Sequence, residues 1–193
     1  WLNFVVMVVA GGLMLYFYLR SVRPAALEQR IGPEAYARCA RDRKITMVLM
    51  FVLSANYVLY YFYPLPVPLP RTFPWPWWVS AVIAALIAMP SGVIVMLGMR
   101  AAGEESLTPK KGHTLYGGIY EKIRHPQAYE VFFWWAIAFL LHSPFLVLFS
   151  FVWLPVWYVM VMAEERDLIL RYGQAYEDYR ARTGAFLPRR RET

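Results

Sequence analysis

The sequence predicts an all-α membrane protein with five transmembrane helices, the last two folded into a helical hairpin. Three observations lead there. The chain is 59% hydrophobic and only 17% charged, where soluble domains carry roughly a quarter charged residues. Its apolar residues gather into five runs, at 2–19, 45–63, 77–99, 129–141 and 145–163. Basic residues are concentrated in alternate connections between those runs, which fits every basic segment onto one side of a bilayer only if the chain crosses five times.

The first run begins at Trp1 with no basic region before it and no small-residue cleavage site after Leu19, so it reads as a retained helix rather than a signal peptide. Residues 20–44 carry seven of the basic residues, with Pro24 and Pro33 near helix starts. That segment suits either short interfacial helices or a solvated connector. After the second run, "YPLPVPLPRTFPWP" alternates proline with apolar residues and has only Arg71 as a cation, the pattern of an extended loop on the outer membrane surface. Trp75, Trp77 and Trp78 then fall at the outer interface, and the third run follows.

The fourth run is short. From Pro126 to Leu141 a helix rises roughly 24 Å, less than the roughly 30 Å hydrocarbon layer. His142, Ser143 and Pro144 separate it from the fifth run, a gap short enough for an antiparallel hairpin. The tail, "AEERDLILRYGQAYEDYRARTG", extends the fifth helix, with Leu168, Tyr172, Tyr176 and Tyr179 near i, i+4 spacing on a face that must cover something. Gly184 and Pro188 end the element. The whole, residues 1–193, forms a single membrane domain, with three helices and their connections in 1–99 and the hairpin and tail in 100–193.

The net charge of +7 hugs helix ends, so it reads as membrane topology, with the N-terminus outside and the C-terminus cytoplasmic, and not as a nucleic-acid surface. Cys39 is the lone cysteine, and His113, His125 and His142 fall in three separate places, so no metal site is expected.

Two charged clusters share the cytoplasmic face: residues 120–125 before the hairpin and Glu164, Glu165, Arg166 and Asp167 after it. An antiparallel hairpin brings its entry and exit together, so residues about 40 positions apart become neighbours. Pro126 suits the first position of a helix, whose free N–H groups and dipole attract an anion. With the glutamates opposite, a zwitterion bearing a carboxylate and an ammonium fits between. The plainer alternative is that Lys122 and Arg124 anchor to phosphate headgroups and the glutamates balance them.

The stretches "GGIYEKIRHPQAY" and "AEERDLILRYGQAYEDYRARTG", flanking a hairpin of two apolar helices, resemble the C-terminal half of the isoprenylcysteine carboxyl methyltransferase family, which is also similar to phospholipid N-methyltransferases. The resemblance covers roughly residues 100–188; the first three helices match only as hydrophobic spans. It implies S-adenosyl-L-methionine as cofactor, bound at the cytoplasmic face without a G-x-G-x-x-G fold, a motif the chain lacks. The family's cofactor contacts carry over onto His113, Thr114, Leu115, Tyr116, Tyr120, His125, Pro126, Gln127, Ala128 and Glu164. The helix start would then take the cofactor carboxylate and Glu164 its ammonium.

The chain also departs from the family. Ala128 stands where an aromatic residue is usual, Glu130 where a glycine is usual, Met160 where an arginine near the substrate carboxylate is usual, and Leu97 in place of a glutamate. The cofactor half is kept while the substrate half is altered. The resemblance implies methyl transfer to a lipidic acceptor entering from the bilayer, an isoprenylcysteine-like carboxylate first and a phospholipid or other amine as the alternative. Arg100 can steer a carboxylate or phosphate, and Glu130 or His125 can deprotonate an amine. A non-catalytic membrane binding module is the reading from a different class.

Overall fold

The computed structural model describes residues 1–103 and 117–189, and among them it is helical without strands. Four helical segments are long and apolar enough to cross a membrane: Leu2–Ser21, Glu34–Phe62, Trp77–Ala102 and Pro144–Tyr172. The protein is a multi-pass membrane protein. Along these segments Leu2, Val48, Phe51, Leu86, Met89, Val93 and Tyr158 are exposed, which a lipid-facing surface accounts for.

Helix α1 (Leu2–Ser21) packs along α3 (Glu34–Phe62). Arg20 Nε meets Asp42 Oδ2 at 2.9 Å and pins their shared end. Between them, Pro24 opens the short α2 (Pro24–Ile31), and Gly32 with a φ of 73° allows the reversal into α3. The basic segment 20–44 is therefore neither wholly interfacial helices nor connector: α3 begins at Glu34, ahead of its apolar run, because Pro33 and the good helix formers after it start the helix in the polar region.

Helix α4 (Trp77–Ala102) follows the proline-rich loop, whose Phe73 stacks on Trp75 and Phe139. The fourth run starts as a 3₁₀ helix, Pro126–Val131, and becomes α-helical only over α5 (Phe132–Leu140). Six residues at about 2.0 Å and nine at about 1.5 Å span roughly 25 Å, still short of the hydrocarbon layer. Within the last span, α6 (Pro144–Phe149) passes through a 3₁₀ turn, Ser150–Val152, into α7 (Trp153–Tyr172). Pro155 has no N–H for the Phe151 carbonyl, which accounts for the irregular turn there.

The tail does not simply extend α7. The helix stops at Gly173, whose φ of 56° is left-handed, and restarts as α8 (Gln174–Arg182). This break turns α8 back beneath the bundle.

The core is aromatic: Trp153 stacks on Trp134, Tyr60 on Phe145, and Tyr57 tilts against Trp134. The polar ends of these rings are satisfied, with Trp153 Nε1 donating to Tyr57 Oη at 2.7 Å and Ser150 Oγ donating to the Leu146 carbonyl at 2.7 Å.

Gly98 of α4 lets the Pro126 turn approach closely. A Cβ there would lie 2.7 Å from Pro126 Cγ, and a proline ring cannot swing aside. Gly98→Ala is therefore expected to destabilise the protein by about 1 to 3 kcal/mol, the usual cost of overpacking, lowering its melting temperature in detergent. Gly12→Ala, with nothing within 4 Å of the new Cβ, should not.

Candidate functional site

The "RHP" turn is held from three sides before any ligand is considered. The backbone N–H groups of Arg124 and His125 donate to the carbonyls of Gly184 at 2.9 Å and Ala185 at 3.0 Å, so the chain after α8 lies alongside the turn as a strap. Tyr129 Oη donates to the Phe186 carbonyl at 2.8 Å. Tyr179 Oη of α8 donates to the Tyr120 carbonyl at 2.6 Å, and burial pushes the Tyr179 hydroxyl up to about 12, which keeps it a donor. Arg124 Nη1 donates to the carbonyls of Arg180 and Thr183.

Glu165 of α7 joins these pieces. Its Oε1 accepts from Arg124, at 2.9 Å from Nε and 2.7 Å from Nη2, and from His125 Nε2 at 2.9 Å, while Oε2 faces Arg180 Nε at 3.6 Å. Glu165 and His125 are 5% and 6% exposed as side chains. A carboxylate this buried persists only because several cations share it. The other ring nitrogen of His125 lies 3.7 Å from Glu164 Oε2. Burial works against the protonated ring, but the Glu164 and Glu165 carboxylates outweigh it and raise the His125 pKa above 6.5.

Above this knot opens a cavity of about 430 Å³, within the usual range for small-molecule sites. The Pro126 turn supplies His125, Pro126, Gln127, Ala128 and Glu130; α7 supplies Glu164, Met160 and Trp157; α3 supplies Arg43, Met47 and Met50. Leu168, Tyr172, Tyr176 and Tyr179, the face that the sequence left looking for something to cover, all line it. Asp167 fixes the remaining wall by accepting from the first N–H groups of α2, at 3.2 Å from Ala25 and 3.0 Å from Ala26. It thereby caps that helix from 141 residues away.

Of the residues expected from the sequence, Tyr120, His125, Pro126, Gln127, Ala128, Glu130 and Glu164 meet at this one cavity. His113, Thr114, Leu115 and Tyr116 lie outside the described residues. Arg100 is exposed at the end of α4 and does not line the cavity; Leu97, one turn earlier, is 45% exposed as well. The helix start is also a narrower anion cradle than expected, because its first turn is 3₁₀ and the Ala128 N–H is already taken by the His125 carbonyl at 3.1 Å.

Sequence reasoning missed the contribution of α1 and α3. Tyr18 and Thr46 come from runs legible only as hydrophobic spans, and Arg43 from the basic segment just before the second run. The available signal was a polar residue placed just inside the membrane end of each. The alternative of Arg124 as a headgroup anchor does not hold, since its side chain is 9% exposed and turned inward to Glu165.

The residues present fit a polar, partly cationic small molecule. The Tyr176 hydroxyl on the cavity wall is buried with no hydrogen-bond partner, an orphan that a ligand would satisfy. Glu164 offers a half-buried carboxylate beside it, and the methionines and Trp157 offer apolar, polarisable contact.

Comparison with known proteins gives one finding: residues 79–175 match the phospholipid methyltransferase (PEMT) family model. That range runs from the first turn of α4 through the Pro126 turn to the beginning of α8, and so contains Arg124, His125, Glu164 and Glu165 but not Arg180 or the strap of residues 184–186. No curated protein and no solved structure matches the chain.

The raised His125 pKa has a sign. Stability from the protonated ring is fully present below its unfolded value of about 6.5 and is lost as pH rises through the higher folded value. The melting temperature in detergent should therefore fall as pH is raised from 6.5, and His125→Gln should flatten that slope. Matching slopes in the two proteins would remove His125 from the ion cluster.

Proposed function

The chain belongs to the phospholipid methyltransferase family, and from that premise we propose that it transfers a methyl group from S-adenosylmethionine to a lipidic acceptor at the cytoplasmic membrane surface. The observation that carries this reading is a single cavity joining a titratable rim, His125, Glu130 and Glu164, to an apolar wall of Met47, Met50, Trp157 and Val161. A site for a soluble acceptor has no need of that wall. The topology that goes with the reading is five crossings, with residues 126–140 and Pro144–Tyr172 as the hairpin, the N-terminus outside and the C-terminus in the cytoplasm.

Glu164, Tyr176, Tyr120 and the Pro126 turn would hold the cofactor, the carboxylate of Glu164 answering its ammonium. Bound there, S-adenosylmethionine supplies an electrophilic methyl group on a sulfonium. The protein's own part is to exclude water, hold the acceptor in line and manage one proton.

An amine headgroup is the acceptor this cavity supports best. An ammonium must lose its proton before nitrogen can attack, and Glu130, in the wall, is a carboxylate able to accept it. The arginine that a carboxylate acceptor would call for is replaced by Met160, which lines the same cavity. One observation favours the second reading, an isoprenylcysteine-like carboxylate, which needs no base: Arg43 lines the cavity from α3. Supplying an aminophospholipid and a prenylated cysteine in turn, with radiolabelled S-adenosylmethionine, separates them. Label is expected in the aminophospholipid, and label in neither lipid would refute the reading.

Removing the charge of Glu164 while keeping its shape, Glu164→Gln, should cost on the order of 1.5 to 3 kcal/mol of affinity for S-adenosylhomocysteine, the range for hydrogen bonds to charged groups. That is roughly tenfold or more by calorimetric titration. A surface counter-ion would be worth about 0 to 1 kcal/mol, so unchanged affinity would exclude Glu164 from the site.

A further inference from the structure

On the far side of α7 from the cavity lies a second groove of about 440 Å³. Three arginines converge on it from three parts of the chain: Arg23 from the α1–α2 link, Arg166 from α7 and Arg180 from α8. The single carboxylate among them is Glu165, and its Oε1 is already committed to Arg124 and His125. Arg180 approaches Glu165 Oε2 at 3.6 Å with its side chain 51% exposed, which leaves most of its five donors unspent. Arg166 has no ion-pair partner among the described residues. The groove thus keeps a net positive charge beyond what its own carboxylate offsets.

From the arginines the groove continues along α7 toward the middle of the bundle, over Met162, Val159 and Tyr158. Tyr158 and Val159 are 57% and 44% exposed. The eight steps along the helix from Tyr158 to Arg166 rise about 12 Å at 1.5 Å per residue, so a strip of apolar surface leads directly away from a cluster of guanidinium groups. That pairing of a forked cationic head with an apolar trough is complementary to one class of molecule. Guanidinium groups match phosphate oxygens bidentately, and an apolar trough on a membrane helix takes an acyl chain.

We infer that this groove is a binding site for an anionic phospholipid, with its phosphate on Arg23, Arg166 and Arg180 and an acyl chain along Tyr158, Val159 and Met162. The site is separate from the cavity on the other side of α7, and its occupation does not depend on the methyl-transfer reading. It also differs from the general attraction of basic residues to a charged membrane, because that attraction follows net charge while this site requires three particular arginines on one groove.

Phosphatidylglycerol and phosphatidylcholine with the same acyl chains, titrated singly into the detergent-solubilised protein and counted by native mass spectrometry, test it. Phosphatidylglycerol is expected to bind saturably and about tenfold more tightly than phosphatidylcholine. Arg23→Gln and Arg166→Gln should each weaken phosphatidylglycerol about fivefold, the effect of one basic residue near a charged headgroup, with phosphatidylcholine unchanged. Arg30→Gln removes the same charge from the exposed end of α2, off the groove, and should leave both lipids as they were. Inorganic phosphate at the lipid's concentration should displace nothing. Equal affinity for the two lipids, an equal loss in Arg30→Gln, or displacement by inorganic phosphate would each overturn the assignment. Should a variant fail to fold, the parent's comparison of the two lipids decides by itself.

Discussion

A buried carboxylate at the membrane end of a helix is stable only in company, and the arrangement around Glu165 is that company. Arg124, His125 and Arg180 come from a turn and from α8, segments with little apolar surface to hold them in place. Leaving Arg124 or His125 without this partner would strand a buried charge at a cost of about 3 to 5 kcal/mol, a large share of the stability of any small domain. The ion cluster therefore fixes where the Pro126 turn starts, how α8 folds back after Gly173, and where the strap of residues 184–186 runs. Each of those in turn forms or supports one wall of the cavity.

Two more long-range ties complete the frame. Asp167, two residues beyond Glu165 on α7, holds the start of α2 through the N–H groups of Ala25 and Ala26. Gly98 lets α4 lie against the Pro126 ring. One turn of α7 thus divides its labour: Glu164 faces the cavity, Glu165 holds the turn and α8, and Asp167 holds α2. Side chains on successive positions of a helix point about 100° apart, so three acidic residues within four positions serve three different neighbours.

Much of this was legible in the sequence, because topology does the work. Charge alternation and a short hairpin gap are enough to place residues 120–125 beside Glu164 and Glu165, and the i, i+4 tyrosines signalled a covered face. What the sequence could not show is which charge does what. A cation near a helix end is written identically whether it snorkels to a headgroup or turns inward to a carboxylate, as Arg124 does. The 3₁₀ start at Pro126 was equally hidden, since proline suits the first turn of either helix type. The residues of α1 and α3 on the cavity escaped notice because a membrane helix is apolar on every face, which removes the periodicity that marks a buried side.

Glu165 does not line the cavity, yet it shapes it. Calorimetric titration of S-adenosylhomocysteine into Glu165→Gln, beside His142→Asn as a comparably buried control at the other end of the bundle, tests it most directly. Glu165→Gln is expected to lose affinity more than about tenfold, since stranding Arg124 and His125 releases the turn, while His142→Asn binds as the parent does. A Glu165→Gln protein that stays folded and binds with the parent's affinity would contradict it.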